Sequence, residues 1–352
     1  MSSKRWCLTS AALLFAVSAL IVLLVVIVDP FEIYHRAWFY TPVYDSETQS
    51  YCNAGIAKSH DYDSIIIGSS VTENCFPSDY DAALGGRFVK LCMNGGLSRD
   101  HEKMMDIAFS THDVRRVVYG LDLFAYNQYY TVQRAVTPDY LYDNNLFNDV
   151  SYWFNSSVLF RFIPEAFMNM GAYREGARDW MYVWDFENTD PSALVSQVDL
   201  ASSLPPQKDI QAPCDRALEN LEHNLLPYIR ENRNTVFTVF FPPYSLLYWA
   251  DKARSGEFEA FLAQKALLER VLLGEPNVEV YDFQLVTQWT QDYSLYVDLI
   301  HYKAFINAEM ADMMAEGECR VLNEEQIEQN QLSLKIAVYS LFDGDWDNKK
   351  VM

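Results

Sequence analysis

The sequence predicts an α/β protein: a mostly parallel, five-stranded sheet in three layers, with helices on both faces, preceded by one N-terminal transmembrane helix. Three observations predict it. Short apolar runs rich in β-branched and aromatic residues recur along the chain and end at turn-forming residues. Amphipathic stretches of helical period alternate with them, the pattern of parallel strands joined by crossover helices. Finally, residues 8–28 carry no charged side chain. At about 1.5 Å per residue they span roughly 30 Å, the thickness of a bilayer core.

Lys4 and Arg5 precede this apolar segment, and Asp29 and Glu32 follow it. The positive-inside rule puts residues 1–7 in the cytoplasm and the remaining chain outside the cell membrane. Val17-Ser18-Ala19 resembles a signal-peptidase site, but the apolar run continues past it, so an uncleaved single-pass anchor is expected. Residues 29–60 form a juxtamembrane segment with Phe31, Tyr34, His35, Trp38, Phe39 and Tyr40. The first of these suit the membrane interface, and Pro30 and Pro42 exclude one long helix.

The body, residues 61–316, opens with Asp63-Ser-Ile-Ile-Ile-Gly-Ser-Ser70. Three isoleucines in a row read as a strand buried on both faces, and Gly68 ends it. Residues 88–93 form the second strand, ending at Asn94-Gly95-Gly96, with a helix capped by Ser98 running to about Thr111. Residues 116–121 form the third, ending at Asp122. Residues 235–241 and 278–283 form the fourth and fifth, and helices at about 209–232 and 257–273 separate these last strands, one before each. An insertion at about 126–206 is rich in Tyr, Trp, Asn and Asp, with one amphipathic stretch at 158–170. It reads as a satellite core under a long loop, the alternative being an aromatic platform for sugar rings. Residues 317–352 supply a C-terminal helix and an acidic tail.

Composition narrows the function classes. The chain has 352 residues, 50% of them hydrophobic, and a formal charge of −21. Such an acidic surface argues against nucleic acid, whose phosphates require Lys and Arg. The six cysteines show no CxxC and no metal-ligand spacing with His, and no His-x-Glu-x-x-His occurs. No metal or organic cofactor is expected, and a metal-dependent hydrolase is the weakest reading.

The strand ends carry the chemistry, because ligands of open α/β sheets bind beyond the carboxyl ends of the strands. Ser70 follows strand one, Asn94-Gly95-Gly96 follows strand two, and Asp122 follows strand three with Asn127 shortly after. Beyond strand five comes Asp298-Leu-Ile-His301. A hydroxyl nucleophile needs a base, and the base needs a partner to hold its tautomer. Ser70, His301 and Asp298 are those residue types, and the glycine turn offers amides to an oxyanion.

On these motifs the chain resembles the SGNH (GDSL-type) hydrolase superfamily. Within it the chain is similar to membrane-anchored, extracytoplasmic bacterial members that handle acyl groups on envelope polymers, such as the teichoic-acid D-alanylation and alginate O-acetylation proteins. The resemblance covers about residues 60–125 and 235–316. It implies Ser70 as nucleophile, His301 as base and Asp298 as its orienting partner. The amides of Ser70 and of Gly95 or Gly96 would form the oxyanion hole. The family's third block, Gly-x-Asn-Asp, is replaced by Gly120-Leu121-Asp122-Leu123. A carboxylate near an oxyanion would repel it. Asn94 or Asn127 then substitutes, or the hole is reduced. The implied function is a serine acyl esterase or acyltransferase acting on a cell-envelope glycan or acylated polymer, possible partners being other envelope-biosynthesis proteins. The alternative is a non-catalytic binding or assembly subunit that keeps the fold.

Overall fold

A computed structural model describes residues 3–171, 178–184, 186 and 189–342. Its centre is a six-stranded sheet of order β2-β1-β3-β4-β5-β6, formed by β1 (Ser64–Ile67), β2 (Phe88–Lys90), β3 (Arg116–Gly120), β4 (Val236–Phe241), β5 (Val278–Asp282) and β6 (Arg320–Val321). The first five strands are parallel, and β6 pairs antiparallel with β5. The expected five-strand sheet therefore gains an edge strand of two residues. Its pattern is too short to register as a strand in the sequence, since a period-2 alternation needs about four residues to be seen.

Burial explains why these segments are strands. Ile65, Ile66 and Ile67 are fully buried, as are Val117, Val118 and Tyr119 on the neighbouring strand. A strand enclosed on both faces reads as continuous apolar sequence, and it does so here. Helices α3 (Pro77–Leu84) and α4 (Ser98–Thr111) follow β1 and β2, and long helices follow β3 and β4. The stretch expected as one helix at 209–232 is two, Gln211–Asn224 and Leu226–Glu231, broken next to Pro227. Proline removes an amide donor and clashes with the preceding turn. Ser98 does not cap α4. It is the first helical residue, and its hydroxyl donates to Asn220, while Asp100 reaches back to the Leu97 amide.

At the N-terminus α1 (Ser3–Val28) is long and apolar enough to cross a membrane, with only its last residues, Val25 and Val28, covered by the body. A signal sequence passes the same test of length and composition. The juxtamembrane segment is more built than its sequence suggests. It contains α2 (Gln49–Ser59), and Asp29 and Glu32, both with positive φ, are buried in a polar knot. The Asp29 carboxylate accepts from the amides of Tyr34 (2.6 Å) and His35 (3.1 Å) and from the Tyr152 hydroxyl (2.9 Å). Glu32 accepts from the Ala37 amide (2.7 Å) and the Tyr44 hydroxyl, and pairs with His60 Nε2 at 2.9 Å. Gly55 makes this docking possible: a Cβ there would lie 1.8 Å from the Phe31 carbonyl oxygen.

The insertion holds α5 (Val150–Trp153), a π-helical turn at Val158–Phe162 and α6 (Ile163–Met168). The amphipathic helix expected at 158–170 is present and unbroken as far as Met168, with a π-helical turn just before Pro164. Its buried members, among them Tyr152, Val158 and Ile163, join the main core and form no separate satellite core.

Candidate functional site

The site lies at the carboxyl ends of β1, β2 and β3. Beyond β1 the chain turns at Gly68 into a short 3-10 turn, Ser70–Thr72. Gly68 is required because the Thr72 side chain folds back against it, 2.6 Å from where a Cβ would stand. The Thr72 hydroxyl donates to the Ser69 carbonyl at 2.7 Å, which tightens the turn. Local side-chain bonds of this kind compete with helix and favour turns. Here they leave the Ser70 side chain free of any capping role and only 9% exposed.

Ser70 Oγ lies 2.7 Å from His301 Nε2. The opposite ring nitrogen, Nδ1, lies 2.6 Å from Asp298 Oδ2. Asp298 Oδ1 accepts from the amides of Ile300 (2.9 Å) and His301 (2.8 Å). The carboxylate therefore both holds the loop and orients the ring. It does not cap the following helix, which starts only at Phe305. Burial pushes the Asp298 carboxyl up, but bonds from the His301 ring and from both amides outweigh it and hold it below the usual range. Burial pulls His301 down. The bond to Asp298, with the charges of Asp298, Asp122 and Glu73, reverses that and leaves the imidazole above its ordinary value. The geometry meets the distance requirement for proton transfer from a hydroxyl to an imidazole.

The remaining sequence-predicted residues divide. The Gly96 amide donates to Met93 O at 2.8 Å within the turn, and the Asn94 amide donates to Gln49 Oε1 of α2 at 2.8 Å, so both are engaged. Gly95 has φ of 58°, and the Arg134 guanidinium lies against it, 2.7 Å from where a Cβ would stand. Asn127 lines a separate cavity of about 350 Å³ with Lys208, Arg216 and Glu257, and its Oδ1 is buried without a partner among the described residues. Neither Ser70 nor His301 lines that cavity.

Asp122 is fully buried and does not face an incoming ligand. It accepts from the Ser69 and Tyr244 hydroxyls, one on each carboxylate oxygen. Burial raises its carboxyl to about 6, against the lowering effect of those two hydroxyls. The third-block carboxylate thus acts as an anchor for the turn that displays Ser70. The sequence signal for this was present in Ser69 and Asp122, but nothing in it joined Tyr244 to them.

Trp184 completes the wall. Its indole Nε1 donates to the Ser70 carbonyl at 3.3 Å, and its ring meets the His301 ring edge-on, centroids 5.2 Å apart. Phe186 stacks on Trp184 with centroids 5.9 Å apart. Glu73, buried beside the site, accepts from Gln49 Nε2 at 2.6 Å, and burial raises its carboxyl. Lys90 is buried in β2 and donates to the carbonyls of Glu73 (2.7 Å) and Asp179 (3.0 Å), tying the insertion to the Ser70 loop. Desolvation lowers its ammonium to about 8. Among the described residues, no group of three or more His, Cys, Asp or Glu is placed to hold a metal ion.

No protein-family model matches the chain, and no curated protein matches it. Among solved structures, a Streptococcus pneumonia protein provisionally named a platelet activating factor overlaps 77% of this chain and 90% of its own, with 10% identity and a TM-score of 0.41. A likeness that loose carries nothing about chemistry. The chain is a mixed α/β protein with a mostly parallel six-stranded sheet and one N-terminal apolar helix.

Proposed function

We propose that the protein is a membrane-anchored, extracytoplasmic serine acyl esterase or acyltransferase of SGNH-like type, acting on a cell-envelope glycan or acylated polymer. The observation that carries this reading is the hydrogen-bonded line Ser70–His301–Asp298 at the carboxyl edge of a parallel sheet. Ser70 Oγ attacks the acyl carbonyl while its proton passes to His301 Nε2. The tetrahedral intermediate collapses, the bond to the leaving alcohol breaks, and that alcohol takes the proton from His301. Water, or an acceptor hydroxyl, then attacks acyl-Ser70 by the same route in reverse. Asp298 holds the ring in the tautomer that accepts at Nε2.

The Ser70 and Gly95 amides have no hydrogen-bond partner among the described residues, which supports them as oxyanion donors. Arg134 against Gly95 adds positive charge beside that amide. The stacked Trp184 and Phe186 beside His301 support a sugar acceptor, since aromatic faces suit sugar rings. No cofactor enters the scheme. The anchor α1, with Lys4 and Arg5 inside, would keep the site next to polymers built or exported at the membrane, alongside other envelope-biosynthesis proteins.

A second reading is favoured by Asp122, whose bonds leave no donor at the third-block position: a binding or assembly subunit that has lost turnover. A fluorophosphonate probe and p-nitrophenyl acetate, applied to the detergent-solubilised full chain, separate the two. Labelling and turnover that vanish in Ser70→Ala and His301→Ala establish the enzyme. A well-folded wild type that neither labels nor turns over establishes the subunit.

A further inference from the structure

The insertion holds most of the body's exposed large hydrophobic residues, and it holds them beside the end of α1. Of the twenty large hydrophobic residues exposed outside α1 among the described residues, eight lie between 146 and 170. Phe160 and Met168 are 81% and 77% exposed. Soluble surfaces rarely leave such a concentration uncovered, and where they do it marks a contact site.

Its position says what covers it. The last turn of α1 is sheathed by this part of the chain: Val25 and Val28 are buried, and the His35 ring binds the Val26 carbonyl at 2.8 Å. Phe162 packs on Phe31 with centroids 4.7 Å apart, Phe167 on Phe39 at 5.9 Å, and Met170 bridges to Tyr40. Tyr152 of α5 binds Asp29, one residue past α1. The α5–α6 unit is therefore fixed at the level where α1 leaves the bilayer core. The uncharged residues 8–28 of α1 span roughly 30 Å, the thickness of a bilayer core, so its covered final turn stands at the core's outer boundary. Exposed Trp38 and Arg36 lie in the same segment, residue types that favour the headgroup level.

We infer that the α5–α6 unit is a second membrane contact, its exposed Phe and Met side chains entering the headgroup–acyl boundary of a phospholipid bilayer. The body is then seated on the membrane at two points and its orientation is set, where α1 alone would leave its tilt and rotation unset. The contact is hydrophobic: a chain with a net charge of −21 gains nothing from anionic headgroups. The inference rests on α1 being an anchor, and the test keeps the two apart.

The full chain is reconstituted in phosphatidylcholine nanodiscs with the photoreactive residue p-benzoylphenylalanine in place of Phe160, Met168, Leu14 of α1, or Leu332 on the distant helix Glu324–Ser340. Lipid adducts are read by mass spectrometry, and near-UV circular dichroism checks each variant for native packing. Expected are adducts at 14, 160 and 168 about tenfold above those at 332. Adducts at 14 with only background at 160 and 168 overturn the second contact and leave the anchor standing. Background at all four positions overturns both. Crosslinks from 160 and 168 to protein in native membranes, in place of lipid, overturn it in favour of a protein partner.

Discussion

Two regions of this molecule are built around hydrogen-bonded carboxylates, and they are finished differently. At the junction of α1 and the body, each carboxylate oxygen of Asp29 and Glu32 has a donor, and both residues are fully covered. At the site, Asp298 is also satisfied, but it is half-exposed and its partner His301 is directed at a hydroxyl. The amides of Ser70 and of Gly95, in the turn after β2, have no partner among the described residues. A saturated polar network fixes geometry and rigidifies; an unsaturated one is where a ligand completes the count. The junction is structure, and the site is structure with bonds left to make.

The largest effects should come from the unfinished region. Ser70→Ala is expected to abolish fluorophosphonate labelling and to lower turnover of an activated ester by about 10⁴-fold or more, with His301→Ala close to it. The double variant should be little worse than either single one, because the two act as a unit. Additive losses in steady-state kinetics would break the triad reading. Asp298→Asn comes next, at about 10³-fold, since the ring loses its orienting partner. It also carries a sign. Asp298 raises His301, and only the neutral ring accepts a proton, so the acidic limb of kcat/KM against pH should move to lower pH in the variant. A limb that stays in place would mean that Asp298 serves only its loop.

How far could the sequence be read? The parallel sheet was legible because Ile65, Ile66 and Ile67 and their counterparts are enclosed on both faces, which leaves an unbroken apolar run. The positions of Ser70, Asp298 and His301 followed from the rule that ligands gather beyond strand ends. What stayed hidden depends on contacts distant in sequence. Asp122 reads as a damaged oxyanion residue until Ser69 and Tyr244 are seen to close on it. Trp184 is one aromatic among many in the insertion, and only the fold lays it against His301. Edge strand β6 is two residues long, beneath the length at which alternation is visible. Gly96 and Gly95 look equivalent on the page, yet a turn bond spends one amide and leaves the other.

The finished region should answer to packing instead. Gly55→Ala forces a Cβ to within 1.8 Å of a backbone oxygen that cannot yield alone. A loss of about 3 kcal/mol is expected, as a lowered Tm of the full chain in detergent. Intrinsic esterase activity per folded molecule should be unchanged. A loss of activity without a fall in Tm would show that the two regions are coupled.

Asp122 belongs to both regions at once, and its replacement sharpens the comparison most finely. It is saturated like the junction, yet it holds the turn that presents Ser70. Asparagine can accept one hydroxyl and donate to the other if that hydroxyl turns. Asp122→Asn is therefore expected to fold, with turnover reduced only about tenfold through a looser Ser69 turn. Its stability should differ in pH dependence. Burial raises the wild-type carboxyl to about 6 from an ordinary 3.8. The folded state thus favours the protonated form. That contribution is complete below pH 3.8 and is lost as pH rises through 6, a difference of roughly 3 kcal/mol at about 1.4 kcal/mol per pH unit. Relative to wild type, Asp122→Asn should gain stability between pH 4 and pH 7, measured by urea unfolding. A constant difference across that range would mean that Asp122 is ionised at no cost, and that its two hydroxyl partners serve the charge as well as the turn.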